Sequence, residues 1–173
     1  KQTEPYFIFF APLLKQTSQL PEQESQNCIK ALRMSEGDKI VVTDGKGAIY
    51  NCTIIEAHHK HTMVKIDSQT EQPKSWNFNL RLAFAPTKNM DRNEWFVEKA
   101  TEIGIDNFTL LQCSYSERKN VRLDRLEKVA VSAMKQSKQA VMPSIDDMTP
   151  FDDFINTPFD GQKFIAHCYN NEK

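Results

Sequence analysis

Apolar positions follow two different rhythms along this chain. Up to about residue 67 they alternate or cluster in short runs. The runs Tyr6-Phe7-Ile8-Phe9-Phe10, Lys39–Thr43, Ala48–Ala57 and His61–Asp67 are predicted as strands, the first stopped by Pro12. Between two of these runs lies Asp44-Gly45-Lys46-Gly47. Glycine accepts the positive φ that a tight turn demands, so an Asp-Gly pair here predicts a hairpin. A second turn is expected at His58–Lys60. After Pro21, Glu22–Arg33 reads as a helix with Cys28, Ala31 and Leu32 on one side. Several short antiparallel strands in about 70 residues imply a small barrel or sandwich.

Polar Asp67–Ser75, with Glu71, Pro73 and Lys74, reads as the linker, and the rhythm changes beyond it. A strand is expected at Asn79–Ala85 and a helix at Asp91–Ile103, its buried stripe formed by Phe96, Ala100 and Ile103 and its end set by Gly104. A strand at Phe108–Cys113 follows, then a helix at Leu123–Ser137 with Leu126, Val129, Ala130, Ala133 and Met134 on its apolar side. Pro143 closes that unit, and Lys163–Cys168 reads as a further strand. Strand, helix, strand, helix, strand is the order of an α/β layer with parallel strands. Three strands make an incomplete sheet, so a further α/β segment is expected beyond Lys173. From the absence of a starting Met, the sequence is likewise expected to begin after its natural start or to be a trimmed fragment.

Charge changes the picture only in the middle. Over the 173 residues, 22 basic groups face 23 acidic ones. Residues 1–75 balance 9 against 9, residues 76–143 carry 11 basic and 8 acidic, and residues 144–173 carry 2 and 6. The middle block is thus the one with a cationic excess, the sign suited to an anionic partner. Apolar runs fall far short of the roughly 20 residues of a membrane span, and no leader is visible. The cysteines at 28, 52, 113 and 168 have neither zinc nor redox spacing and read as thiols of a reducing cytoplasm.

Much chemistry is missing from the text of the chain. It has no GxGxxG, no GxxxxGK[ST], no HExxH and no GxSxG. His58-His59-Lys60-His61 invites a metal reading, but a turn should splay its side chains, and a solvated turn is expected. What stands out is a set of long cations. Lys88, Arg92 and Lys99 bracket the Asp91–Ile103 helix, and Arg118, Lys119, Arg122 and Arg125 follow the next strand. The C-terminal edge of a parallel sheet, where such loops sit, is where α/β folds take ligands. Cations there can grip a phosphate backbone, or they can simply pair with Glu94, Glu98 and Glu102 on a solvated helix face.

Four ordered segments carry a resemblance to a known family. Leu32-Arg33-Met34-Ser35-Glu36-Gly37-Asp38 with Thr43–Gly47, APTKNMDRNEWFVEKATEIGI at 85–105, CSYSERK at 113–119 and SAMKQSKQAVMP at 132–143 resemble the RsmE family. These are the bacterial small-subunit ribosomal RNA uridine methyltransferases. The resemblance implies a PUA-like β-barrel over residues 1–72 that helps hold RNA. It implies a SPOUT-class α/β methyltransferase domain over 76–173, incomplete here. Its activity would be transfer of a methyl group from S-adenosylmethionine to N3 of a uridine in 16S ribosomal RNA of the small subunit, with no metal. The full-length protein would be a cytoplasmic homodimer.

The same resemblance sets the candidate residues and the departures. Arg33, Lys88, Arg92, Arg118 and Lys119 are expected to face RNA, and His167, ending the last predicted strand, is either a neighbour of the cofactor or a satisfied structural histidine. No catalytic residue is assigned. The family's Gly-Pro-Glu-Gly-Gly-type loop and its later knot segment have no counterpart in these 173 residues, so the chain alone is expected to be inactive and to bind S-adenosylmethionine negligibly. Asn27 stands where the family usually has His, and Gln139 where it usually has Arg, which puts RNA contacts at both positions in question. The rival readings are a stand-alone RNA-binding module, should the chain be complete, and an assembly protein whose basic face pairs only with its own glutamates.

Overall fold

The computed structural model describes residues 7–74, 76–116 and 120–166. Its first half is organised by β2 (Lys39–Thr43) and β3 (Ala48–Glu56), the two strands joined by the Asp-Gly turn. They pair antiparallel with Thr43 opposite Ile49. The turn is fixed by its own side chains: Asp44 Oδ1 accepts from Lys46 N at 2.8 Å, and its Oδ2 from Tyr50 Oη at 3.0 Å. On one flank β1 (Ile8–Phe10) runs parallel to β2, a departure from the all-antiparallel expectation. On the other, β4 (Met63–Glu71) pairs antiparallel with β3. The sheet order is therefore β1-β2-β3-β4. The chain following β1 returns to β4, with Leu20 N on Thr62 O and Val64 N on Ser18 O, both 2.9 Å, so the sheet curls toward itself. Phe9, Leu14, Leu20, Ile40, Val42, Tyr50, Cys52, Ile54 and Val64 fill the space it encloses.

Two short helices lie in this unit, α1 (Leu14–Thr17) and α2 (Glu22–Gln26). The expected helix through Arg33 is not continuous. It widens into a π-helical turn over Asn27–Ala31. The extra residue rotates the register, so Cys28 stays buried and Ala31, placed on the apolar side by simple spacing, is exposed. Residues 67–71 are also not linker. They complete β4, where the ladder to β3 pairs backbone groups whatever the side chains, so an exposed polar strand read as a connector.

The second half is a parallel sheet ordered β5-β6-β7, from Arg81–Phe84, Asn107–Gln112 and Ser144–Pro150. Helix α3 (Met90–Ile103) links β5 to β6, and α4 (Leu123–Gln136) links β6 to β7. Both pack on one face of the sheet around Val97, Ala100, Phe108, Leu110, Leu126 and Ala130. Gly104 ends α3 with φ +106, as the sequence predicts. Ile103, expected in the buried stripe, is instead 66% exposed, because that stripe runs through Asn93, Val97, Ala100 and Thr101.

The third strand is not where the apolar run pointed. Residues 163–166 form no strand and are exposed, and Cys168 lies outside the described residues. Polar Ser144–Pro150 takes the position instead. Asp146 explains how: its Oδ2 receives Arg81 Nη2 from β5 at 2.7 Å and Thr109 Oγ1 from β6 at 3.0 Å, a chain of charge-assisted bonds across all three strands. Burial raises the Asp146 carboxyl, but the bonds from Arg81, Thr109 and Asn107 outweigh it and hold the group below the usual carboxylate range. Helix α5 (Phe151–Asn156) follows, with the Phe154 ring 5.6 Å from the Arg81 guanidinium.

The two halves meet along the segment that leaves α4. Gly47 N donates to Ala140 O at 2.9 Å, and Met142 N to Gly45 O at 2.8 Å, so the Asp-Gly turn forms a short antiparallel bridge with residues 140–142. Gly45, at φ +75, lies so close that an added Cβ would stand 2.7 Å from the Phe10 ring and 3.0 Å from Met142 Cβ. Beside it Lys135 of α4 pairs with Glu24 of α2 at 2.6 Å.

Burial also sets a pH limit. It pushes the Cys28 thiol up to about 11 and the Cys52 thiol to about 12, and burial with the Asp44 hydrogen bond pushes the Tyr50 phenol to about 12. The folded state therefore keeps protons that the unfolded chain releases from about pH 9 upward. Stability from these groups is complete below that point and is lost as pH rises toward about 12. Urea midpoints recorded from pH 8 to 11 should fall steadily, and Cys52→Val should make the fall shallower.

Candidate nucleic-acid interface

The ends of β5 and β6 and the starts of α3 and α4 converge at the C-terminal edge of the parallel sheet, which follows from the strand-helix-strand order. Helix α3 begins with Asn89, whose side chain accepts from Asp91 N at 2.9 Å. Immediately before it, the loop of Pro86, Thr87 and Lys88 is held from within by Asn93. That residue is 2% exposed and sits in register with Val97 and Ala100, an apolar position in every other respect. Its Oδ1 accepts from Thr87 N at 2.8 Å, and its Nδ2 donates to Thr87 O at 3.0 Å. One primary amide thus satisfies both peptide groups of Thr87 and fixes where Lys88 leaves the backbone.

Three of the cations have neighbouring carboxylates as partners. Lys99 is taken up by Glu98 at 2.8 Å and Glu102 at 3.0 Å, and Arg122 by Asp124 at 2.8 Å. Arg125 binds Glu94 closely, with Asp91 at 3.8 Å. Lys99 and Arg125 thus pair with the glutamates the sequence offered, and Arg122 with an aspartate it did not. Of the five residues expected to face RNA, Lys88 lies just before α3 and Arg92 in its first turn, both exposed. Arg33 belongs to the other unit, where it follows the π-helical turn, exposed and at φ +55, a conformation non-glycine residues adopt at a cost. Arg118, Lys119 and His167 lie outside the described residues. Tyr115, at the C-terminal end of β6, is 99% exposed beside them in sequence.

The remaining candidates resolve differently. Gln139 does not face solvent where a cation would meet RNA: its amide donates to Thr101 O at 3.2 Å and Glu102 O at 2.6 Å, capping the last turn of α3. The rings of His58 and His61 stack at 3.8 Å rather than diverge, and His61 Nε2 lies 3.2 Å from Glu56. Among the described residues no group of three or more His, Cys, Asp or Glu is arranged to hold a metal ion. A cleft of about 310 Å³, lined by Gln72, Trp76, Gly104, Asp106 and Gln139, opens where α3 and α4 end, at the opposite edge of the sheet from Lys88. Among the described residues no helix is long and apolar enough to cross a membrane.

Residues 74–173 match the model of an RNA methyltransferase domain. The chain belongs to that RNA methyltransferase family. Residues 28–67 match the PUA domain found with it. Ribosomal RNA small subunit methyltransferase E of Bacillus subtilis (strain 168) is 22% identical over 95% of this chain and 69% of its own length. The crystal structure of a "probable rRNA-methyltransferase" from Porphyromonas gingivalis is 37% identical, with a TM-score of 0.82 over 88% of this chain. The chain spans 64% of that protein. At 18% identity, methyltransferase E of Neisseria gonorrhoeae, bound to S-adenosyl methionine, shares the fold, with a TM-score of 0.77 over 88% of this chain and 65% of its own. The RNA methyltransferase fold with a preceding PUA-like unit is what the four sequence segments implied.

Asn93 and Thr87 escaped the sequence reading, although a polar residue in an apolar register was visible. Asn93→Ala should lower stability by about 2 kcal/mol, since it strips two peptide groups of their partners. Urea denaturation would measure the loss, and faster exchange of the Thr87 amide would locate it.

Proposed function

We propose that the protein methylates N3 of a uridine in 16S ribosomal RNA of the small subunit, using S-adenosylmethionine, and that full-length it acts as a homodimer. The observation that carries this reading is the match of residues 74–173 to the RNA methyltransferase domain. Relatives described as ribosomal RNA methyltransferases, one holding S-adenosyl methionine, support the substrate and cofactor. We assign residues 1–72 to an RNA-holding barrel and 76–173 to the first part of the catalytic domain.

When bound, S-adenosylmethionine supplies an activated methyl group, so the protein has only to hold an ionised or polarised uracil imide in line with it. The fit of the described residues to that cofactor is incomplete. Thr87, Lys88, Asn89 and Tyr115 at the C-terminal edge are all exposed and enclose no cradle. The cofactor's cradle is therefore assigned to the further length the relatives have. What these residues can do is bind RNA. Lys88 and Arg92, with Arg33 and the Arg118-Lys119 pair, would contact phosphates and set the register of the strand, leaving the base free for chemistry.

The test uses the intact protein, tritiated S-adenosylmethionine and small ribosomal subunits. Label should appear in 16S RNA as N3-methyluridine. RNA binding without any label would favour a non-catalytic binding module instead. In the same protein, Lys88→Ala and Arg92→Ala should each lower the salt dependence of RNA binding by about one unit of slope. Unchanged slopes in both would remove them from the interface.

A further inference from the structure

The side chain of Gln72 spans the two halves of the molecule. Its Nε2 donates to Lys138 O at 3.0 Å, and its Oε1 accepts from Ala140 N at 2.7 Å. Its own backbone N donates to Gly47 O at 2.8 Å, while Gly47 N donates to Ala140 O. Gln72 is therefore held by the Asp-Gly turn of the barrel through its main chain. Through its side chain it holds the segment joining α4 to β7. A primary amide offers the same donor and acceptor as a peptide group, so this side chain extends the antiparallel bridge of residues 45–47 with 140–142 by one further rung.

Other contacts cross at the same place. Thr43 Oγ1 stands 3.2 Å from Ala140 O, and the Glu24–Lys135 pair closes the far side, with Lys135 Nζ 6.0 Å from the Phe9 ring. Glu24 is buried and Lys135 largely so, and a pair removed from water in this way resists separation of its partners. The segment 138–142 is thus held by the barrel through the Asp-Gly turn, Thr43 and Gln72, the first residue past β4.

We infer that Gln72 is a positioning residue for the RNA substrate: it locks the barrel against the methyltransferase sheet, so that Arg33 on one unit and Lys88 with Arg92 on the other present one fixed reading surface. This rests on the proposed function for its RNA part, but not for its claim about rigidity. A strand gripped at both units gains affinity only if their spacing is already set, because a free hinge would have to be ordered on binding.

The intact protein tests it with three variants. Gln72→Leu removes both bonds across the junction at similar volume. Gln72→Glu keeps an acceptor for Ala140 N–H and loses the donor to Lys138 O. Gln139→Leu is the control, since it deletes two backbone bonds of the same kind wholly within the α/β unit. Small-angle X-ray scattering should show Gln72→Leu expanded and Gln139→Leu unchanged. With 16S RNA in small subunits as substrate, Gln72→Leu should raise KM by about tenfold and Gln72→Glu by less, with kcat at saturating RNA retained. Should Gln72→Leu fail to fold, Gln72→Glu must show the same expansion and the same KM effect in smaller measure. Wild-type scattering or wild-type KM in a folded Gln72 variant, or an equal KM rise in Gln139→Leu, would overturn the inference. If the unsubstituted protein transfers no methyl group, the proposed function falls while the scattering result still decides the rigidity claim.

Discussion

Residues 138–142 leave the end of α4 and must reach the start of β7 with their peptide groups paired. Lys138 N and Gln139 N still bond to Lys135 O and Met134 O of α4, but beyond them neither element can supply the partners, since the ladder to β6 starts only at Ser144. The barrel does. Its Asp-Gly turn, through Gly45 and Gly47, and Gln72 meet Lys138, Ala140 and Met142 in a set of bonds between 2.7 and 3.0 Å. The close approach this needs explains the turn itself. Only a residue without Cβ can sit between the Phe10 ring and Met142 as Gly45 does. The hairpin that stabilises the barrel is thus also the surface on which the methyltransferase half is built.

Primary amides do the same work three times in this molecule. Asn93 pairs with both peptide groups of Thr87, Gln139 caps two carbonyls of α3, and Gln72 reads Lys138 and Ala140. In each case a side chain takes the place of a backbone strand where the chain turns too sharply to make its own ladder. Asn93 serves the C-terminal edge directly by fixing the loop of Lys88. At the opposite edge Gln72 ties the two halves together, while Gln139 acts within the α/β unit alone.

Much of the fold was legible because its elements carry strong local signals. The Asp-Gly hairpin, the Gly104 stop and the apolar stripe of α4 appear where the residues predicted them. Failures came where tertiary pairing overrode the local pattern. Ser144–Pro150 is too polar to read as a strand, and it is one because Asp146 answers Arg81 and Thr109 across the sheet. Residues 67–71 form strand through their backbone, and the π-helical turn at Asn27–Ala31 shifted a register that spacing alone could not reveal. Of the residues expected to face RNA, Lys88 lies just before α3 and Arg92 in its first turn, both exposed. Pairing of Lys99 with Glu98 and Glu102 was open to the sequence as one of two readings, whereas that of Arg125 with Glu94 requires knowing which helix faces which. Gln139 read as a lost cation for the same reason.

If the two halves form one rigid frame through this junction, its amide hydrogens must behave like those of a core. Native-state hydrogen exchange of Gly47, Ala140 and Met142 measures this directly. The account predicts that these amides exchange as slowly as those of Tyr50 and Cys52 in β3, opening only with global unfolding. Exchange of the three through a separate opening, orders of magnitude faster than in β3, would contradict it and leave the barrel hinged on the methyltransferase sheet.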